Sequence, residues 1–337
     1  MSAFVSSTSR LPPVRETLIS VAPMMERTDR HCRYFMRLLS PDVRLYTEMV
    51  NANAILRGDP ERHLRYAPAE HPVALQLGGN EPDKLAAAAR IAHDYGYDEI
   101  NLNVGCPSDR VRSGAFGACL MAEPALVAEC VAAMNAAVPI PVTVKNRIGI
   151  DDGVICNDSF EFLESFTRQV AAAGCELFIV HARKAVLGGL SPKQNLNIPP
   201  LRYEVIANLK VSHPELRILI NGGIRDVAGT QEQLQYVDGV MIGRQAYKEP
   251  YLLVELQQAL FGDEAYVAPL RREVLRAMAE YAITALTGYT RMHHITRHMA
   301  GLYAGAPAAR QWRRELAAAQ TPDDLHRLAD SDVSQEP

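Results

Sequence analysis

The chain has 337 residues, 48% hydrophobic and 22% charged, which excludes wholesale disorder, collagen-like repeats and disulfide scaffolds. Its 35 basic and 39 acidic side chains leave a formal charge of −4, so no global excess of positive charge announces a nucleic-acid partner. Six cysteines without a CxxC pair indicate reduced thiols rather than a zinc site or a disulfide framework. No apolar run reaches the ~20 residues of a membrane-spanning helix, and a polar N-terminal arm (1–17) without a secretory core makes a cytoplasmic monomer the expectation.

Eight brief apolar runs follow the arm, at 18–24, 43–48, 73–77, 99–103, 142–145, 177–181, 218–221 and 239–243. Their apolarity is continuous rather than alternating, the pattern of parallel strands covered on both faces. Amphipathic helical stretches separate them, among them 83–95, 124–137 and 160–173, with Gly96 and Gly174 placed as C-cap glycines before the next strand. Strict β–α alternation over 18–262 predicts an α/β fold of the TIM-barrel type, (β/α)8. A doubly wound sheet is the alternative, weakened because no glycine-rich nucleotide loop follows the first strand. Residues 262–269 read as a linker, and 263–337 as a small helical domain with an acidic tail. Its expected helices are 270–287, 291–303, 307–319 and 322–329.

Barrel enzymes carry their chemistry at the C-terminal strand ends. Those ends supply Pro23 and Met24, then Glu48, Gln76, Asn103 with Cys106 beyond it, Lys145 and Arg147, His181 and Arg183, Asn221–Gly223 and Gly243–Arg244. Glycines after the seventh and eighth strands let backbone N–H groups approach an anion, and Arg244 adds a fixed charge, as a phosphate site requires. A tight βα turn explains the same glycines without a ligand. With Gln76, Lys145 and His181 nearby, the set suits a mononucleotide-like cofactor whose ring edge accepts an amide and a cation. Cys106 opens a loop beyond the fourth strand. There it could donate a proton, act as a nucleophile or be an inert buried thiol. His294 and His298 share a helix-turn spacing, but without further ligands nearby no metal is expected.

The charge is unevenly divided. Residues 291–314 hold Arg291, Arg297, Arg310, Arg313 and Arg314 with no acid, whereas 315–337 carry six acids against Arg327. A basic helical stretch interleaved with Tyr303 and Trp312 fits a nucleic-acid footprint, against the alternative of an ordinary solvated helix face.

Taken together, SVAPMMERTDRHCRYF, LQLGGN, EINLNVGCPSDRV, VKNRIGID, FIVHARKAVLGGLSPKQN, INGGI, VMIGRQAY, HITRHMAGLY and GAPAARQWRR resemble the tRNA-dihydrouridine synthases, in their A-type bacterial branch. The resemblance implies FMN-dependent reduction of uridine in the tRNA D loop, at positions 20 and 20a, with NADPH as electron source. It implies that Ala22, Pro23, Met24, Gln76, Lys145, His181, Asn221, Gly222, Gly223, Gly243 and Arg244 bind FMN, and that Cys106 is the general acid. Asn103 would fix the flipped base, and Ser191, Gln194, Arg310 and Arg313 would contact tRNA. Lys193 and Arg297 join them on charge and position. An FMN barrel acting on a free pyrimidine, and a non-catalytic tRNA-binding protein on the same fold, are the competing readings.

Overall fold

The computed structural model describes residues 18–108, 114–153 and 156–331. The N-terminal arm, part of the loop after Cys106 and the end of the acidic tail lie outside the described residues. Eight parallel strands close a barrel in sequential order: β1 (Ile19–Val21), β2 (Arg44–Asn51), β3 (Val73–Gly78), β4 (Glu99–Val104), β5 (Val142–Arg147), β6 (Leu177–His181), β7 (Arg217–Asn221) and β8 (Gly239–Ile242). All eight expected strands are present, because runs such as Ile218–Ile220 are buried on both faces, against the helices outside and the barrel interior within.

The barrel interior is divided. On one side Ala22, Leu177, Ile179, Leu219 and Met241 join Tyr46 and Ala74 in a small apolar cluster. On the other, Gln76, Glu99, Asn101, Asn103 and Thr143 are buried polar groups. Alternation along a strand sends residues 99, 101 and 103 of β4 to the same side. The register sets Asn101 beside Thr143, Asn103 beside Lys145, Arg147 beside His181, and His181 beside Asn221. Residues far apart in the chain therefore meet at one rim.

Helices Pro82–Asp94, Pro124–Ala137 and Phe160–Ala172 follow the sequence expectation to within one or two residues at each end. Above β5 and β6 sits an unanticipated three-stranded sheet of Ile150–Asp151, Cys156–Asn157 and Ala185–Val186.

Beyond the barrel the described chain is helical: Arg271–Ala285, Met292–Thr296, Ala309–Ala318 and Pro322–Asp330. The expected helix over 291–303 is shorter, passing into a 3-10 turn at Arg297–Met299. Beyond that turn Gly301 lies so close to the Lys248 carbonyl that a Cβ there would clash with backbone. Tyr303 and Trp312, expected on an RNA-facing surface, are buried with ring centroids 4.9 Å apart, and the Trp312 indole N–H donates to the Met299 carbonyl at 3.1 Å. They are core residues of this region.

The helical region docks on the first barrel helix, Arg30–Leu39. Three consecutive side chains at its start make polar contacts with that region. Asp29, which caps that helix, pairs with Arg297 at 2.7 Å and His298 at 3.0 Å. Arg30 donates to the Thr290 hydroxyl, and His31 Nδ1 lies 2.8 Å from the Tyr281 hydroxyl. Tyr34 stacks on Tyr281 at 4.1 Å. Burial opposes ionisation of Asp29, but His298, the Cys32 amide and Arg297 outweigh it and hold the carboxyl well below its usual range. Burial also pushes the His31 imidazole down to about 3, leaving it neutral at physiological pH.

Candidate active site

Cys106 is part-exposed on the loop that leaves β4, and the backbone around it is held at three points. Asn103 Oδ1 accepts the amides of Gly105 and Cys106 at 3.2 and 3.0 Å. The Cys106 carbonyl accepts from the Ala118 amide at 3.0 Å, and Arg147 Nε donates to the Gly105 carbonyl at 2.9 Å. The thiol lies 3.6 Å from the Ser108 hydroxyl. A fixed backbone under a part-exposed cysteine is what a proton donor to a bound substrate requires.

Cations gather beside the thiol. Burial pushes the Lys145 ammonium down to about 7, with the Arg147 charge adding to the effect and Cys106 opposing it. Arg147, also lowered by burial, to about 10, gives its described hydrogen bonds to the carbonyls of Gly105, Lys184 and Asn195. His181 is driven far below its ordinary value by burial first, then by Arg147, Lys145, Arg183 and Arg244. Its Nδ1 is positioned to accept the Arg183 amide at 3.2 Å, so the proton of the neutral ring belongs on Nε2. Nε2 faces Gly222: a Cβ added there would stand 3.2 Å from it.

The glycines form a shaped turn. Gly222 and Gly223 have φ of 116° and 79°, and a Cβ on Gly223 would come within 2.5 Å of Leu201 and 2.6 Å of the Tyr203 hydroxyl. Tyr203 donates to the Gly222 carbonyl at 2.8 Å, and the Asn221 amide donates to the Met241 carbonyl at 2.7 Å. Gly243 precedes Arg244, whose exposed guanidinium contacts Asn197 Oδ1 at 2.9 Å and the Leu196 carbonyl. Ala22 hydrogen-bonds the Ile242 carbonyl through its amide, and the Met24 amide is capped by the Thr28 hydroxyl. The positive charges of Arg183 and Arg244, beside backbone at a positive φ that residues with a side chain rarely adopt, fit an anionic group of phosphate type.

Three sequence expectations change in meaning. Gln76 is 1% exposed, with its amide Nε2 bonded to Asn101 Oδ1 and its Oε1 to Asn103 Nδ2, both at 2.8 Å. Both ends of its amide are thus paired inside the barrel. Ser191 and Gln194 form a reciprocal capping box on the short helix Pro192–Asn195, leaving Lys193 exposed beside them. Arg297 is committed to Asp29 and serves the docking of the helical region. By contrast Arg310, Arg313 and Arg314 are exposed on the Ala309–Ala318 helix. Sequence reasoning placed Arg147 at the end of the fifth strand without giving it a role, and missed Thr143 as a site component. The position of Thr143, two residues before Lys145 on the same strand, was the available signal.

His294 and His298 do not converge: His298 is buried between Asp29 and Tyr247, while His294 Nδ1 accepts the Arg291 amide. Among the described residues no group of three His, Cys, Asp or Glu side chains could hold a metal ion, and no helix is long and apolar enough to cross a membrane.

The barrel has a distant counterpart in the solved structure described as "Crystal structure of TcOYE with pHBA", at a TM-score of 0.53 and 12% identity over 71% of this chain and 88% of that one, a likeness of fold. Sequence relatives are much nearer. A tRNA-dihydrouridine(20/20a) synthase of Pseudomonas putida is 52% identical over 98% of this chain and 94% of its own length. Proteins of the same name from Pseudomonas syringae and Vibrio cholerae are 55% and 56% identical, over 91% and 89% of this chain and 89% and 90% of their own. The family model described as "Dihydrouridine synthase (Dus)" matches residues 20–336, taking in the barrel, the thiol loop and the helical region alike. By that match, this chain is an oxidoreductase of the dihydrouridine synthase family.

Proposed function

We propose that the enzyme reduces uridine to 5,6-dihydrouridine in the D loop of tRNA, at positions 20 and 20a, with FMN as resident flavin and NADPH as the reductant. The observation that carries this reading is the part-exposed Cys106, backbone-fixed at the rim of a cation-rich mouth. The residues present fit FMN. Gly222, Gly223, Gly243 and Arg244 would hold its phosphate, Asn221 would shape that turn, and Ala22, Pro23 and Met24 would line it with backbone groups. Lys145 and the Nε2–H of His181 would meet its ring system, with Gln76 supporting them from below.

When bound, FMN would supply the hydride chemistry that reduces the uracil ring at carbon 6. Cys106 then delivers a proton to carbon 5, quenching the enolate character that develops there. Asn103 presents amide N–H to a uracil carbonyl and holds the base against the thiol. Neutral His181 offers a donor without adding another buried charge, and Lys145 stabilises developing negative charge. The target base must leave its stack to reach this depth, which costs least in a loop. Arg310 and Arg313 on the helical region, with Ser191, Lys193 and Gln194 near the rim, would take the RNA backbone.

Cys106→Ala is expected to leave a yellow, FMN-loaded protein that reduces tRNA uridine poorly; undiminished turnover would remove Cys106 as the acid. Charge reversal at Arg310 and Arg313 should weaken tRNA binding while NADPH oxidation by the flavin continues. Equal loss of both would make that helix structural. Free uridine reduced as fast as unmodified tRNA would transfer the assignment to a small pyrimidine.

A further inference from the structure

Below the site, a hydrogen-bonded column runs through the polar half of the barrel. The Glu99 carboxylate accepts hydroxyl protons from Tyr46 at 2.7 Å and Thr143 at 2.6 Å, and its other oxygen faces the Arg44 guanidinium at 3.6 Å. Thr143 Oγ1 accepts from Asn101 Nδ2, Asn101 Oδ1 from Gln76 Nε2, and Gln76 Oε1 from Asn103 Nδ2, each at 2.8 Å. Asn103 Oδ1 then accepts the Gly105 and Cys106 amides.

We propose that Glu99, Thr143, Asn101 and Gln76 are positioning residues for the reaction, fixing through one directional column which way the Asn103 amide points and how the Cys106 backbone is held. This rests on the proposed role of Cys106, although the column itself does not.

The argument is one of polarity. An asparagine or glutamine amide can turn over, exchanging its donor and acceptor ends. A carboxylate only accepts, so with Glu99 at the base the Thr143 proton points down and its lone pairs point up. Each amide above it must then donate downward and accept from above. Reversing any one sets two donors or two acceptors face to face in a buried place, where an unmade hydrogen bond is costly. Glu99, Thr143 and Asn101 are wholly enclosed and Gln76 is 1% exposed, so solvent cannot repair a reversed link, whereas Asn103 at 8% opens to the site. The column thus leaves Asn103 only its second Nδ2 proton to offer outward, a donor matched to a carbonyl oxygen and mismatched to a ring N–H. The site's preference for a carbonyl at that point is set by a carboxylate at the far end of the column.

The test compares Thr143→Val, a near-isostere without the hydroxyl, with Thr143→Ser, which keeps the hydroxyl and loses the methyl. Two readouts are taken: kcat and KM for unmodified tRNA, and hydrogen–deuterium exchange of the Gly105 and Cys106 amides in resting protein. Thr143→Val should lower kcat by roughly tenfold or more with little change in KM, and speed exchange of those amides by about tenfold, because both buried hydrogen bonds of the hydroxyl, to Glu99 and from Asn101, are lost and part of that loss reaches the loop. Thr143→Ser should retain most of both. If Ser damages the enzyme as much as Val, or if Val leaves amide exchange unaltered, the column is packing alone and the proposal is wrong. Should Thr143→Val fail to accumulate as folded protein, Thr143→Ala makes the same comparison without the added methyl. Exchange needs no turnover, so an active Cys106→Ala variant would overturn the acid assignment and still leave the column decided.

Discussion

Lys145 is held in an environment that opposes its own charge, and the consequence for stability can be worked out. Its ammonium falls from the ordinary 10.5 to about 7, chiefly through burial. At about 1.4 kcal/mol for each tenfold change in proton affinity, protonated Lys145 costs the cofactor-free fold roughly 5 kcal/mol, an upper figure for a side chain with some solvent contact. The folded pKa lies below the unfolded one, so between pH 7 and 10.5 the unfolded chain binds more protons, and stability rises with pH across that window. Below pH 7 the whole cost is present; above 10.5 it has gone. Lys145→Met keeps the length of the stem and removes the charge. Urea unfolding of the cofactor-free proteins at pH 6 and pH 10.5 should therefore find the variant more stable by a few kcal/mol at pH 6, with the gap mostly closed at the higher pH. The same variant should bind FMN much more weakly, because the charge that burdens the empty fold would meet the ligand. A gap equal at both pH values, or a variant less stable at pH 6, would refute the reasoning.

Three further outcomes follow from particular contacts. Glu70→Gln should destabilise the fold by about 3–5 kcal/mol in chemical denaturation, because it strands the buried Arg33 guanidinium, whose Nε lies 2.7 Å from Glu70 Oε2. Gly223→Ala should lose flavin affinity and about 1–3 kcal/mol of stability, from its positive φ and its contact with Tyr203; equilibrium dialysis and melting separate the two effects. Asp29→Ala should cost about 1–3 kcal/mol through the lost cap and ion pairs and should raise hydrogen exchange across residues 290–299 before the barrel strands. Because the Asp29 carboxyl is held below its usual range, its contribution is full above the ordinary value near 3.8 and fades as pH falls toward its folded value, so wild type and variant should converge in acid.

The barrel was legible because its signal is dense: continuous apolar runs such as 177–180 admit few other readings, and the strand ends then pick out Lys145, His181 and Asn221 without a structure. What escaped were facts of partnership. Gln76 has the composition of a ligand group, but the register with Asn101 and Asn103 turns its amide inward. Trp312 and Tyr303 look like stacking platforms until the fold buries them against each other. Arg297 counts as one more positive charge in the sequence, yet its partner Asp29 is 268 residues away. Two-residue strands such as Ile150–Asp151 are too short to carry any period.

The docking of the helical region has an implication for anyone who would rebuild it. Its polar contacts with the barrel helix fall on three consecutive side chains, Asp29, Arg30 and His31, and their partners Tyr281, Thr290, Arg297 and His298 all lie within one later stretch. The two sets behave as a plug and its socket, each meaningless without the other. A chimaera that grafts residues 271–330 onto another barrel would need to carry that tripeptide with it. Conversely, a barrel keeping the tripeptide and given a foreign helical region would bear a carboxylate reduced to capping its own helix and an imidazole without its tyrosine.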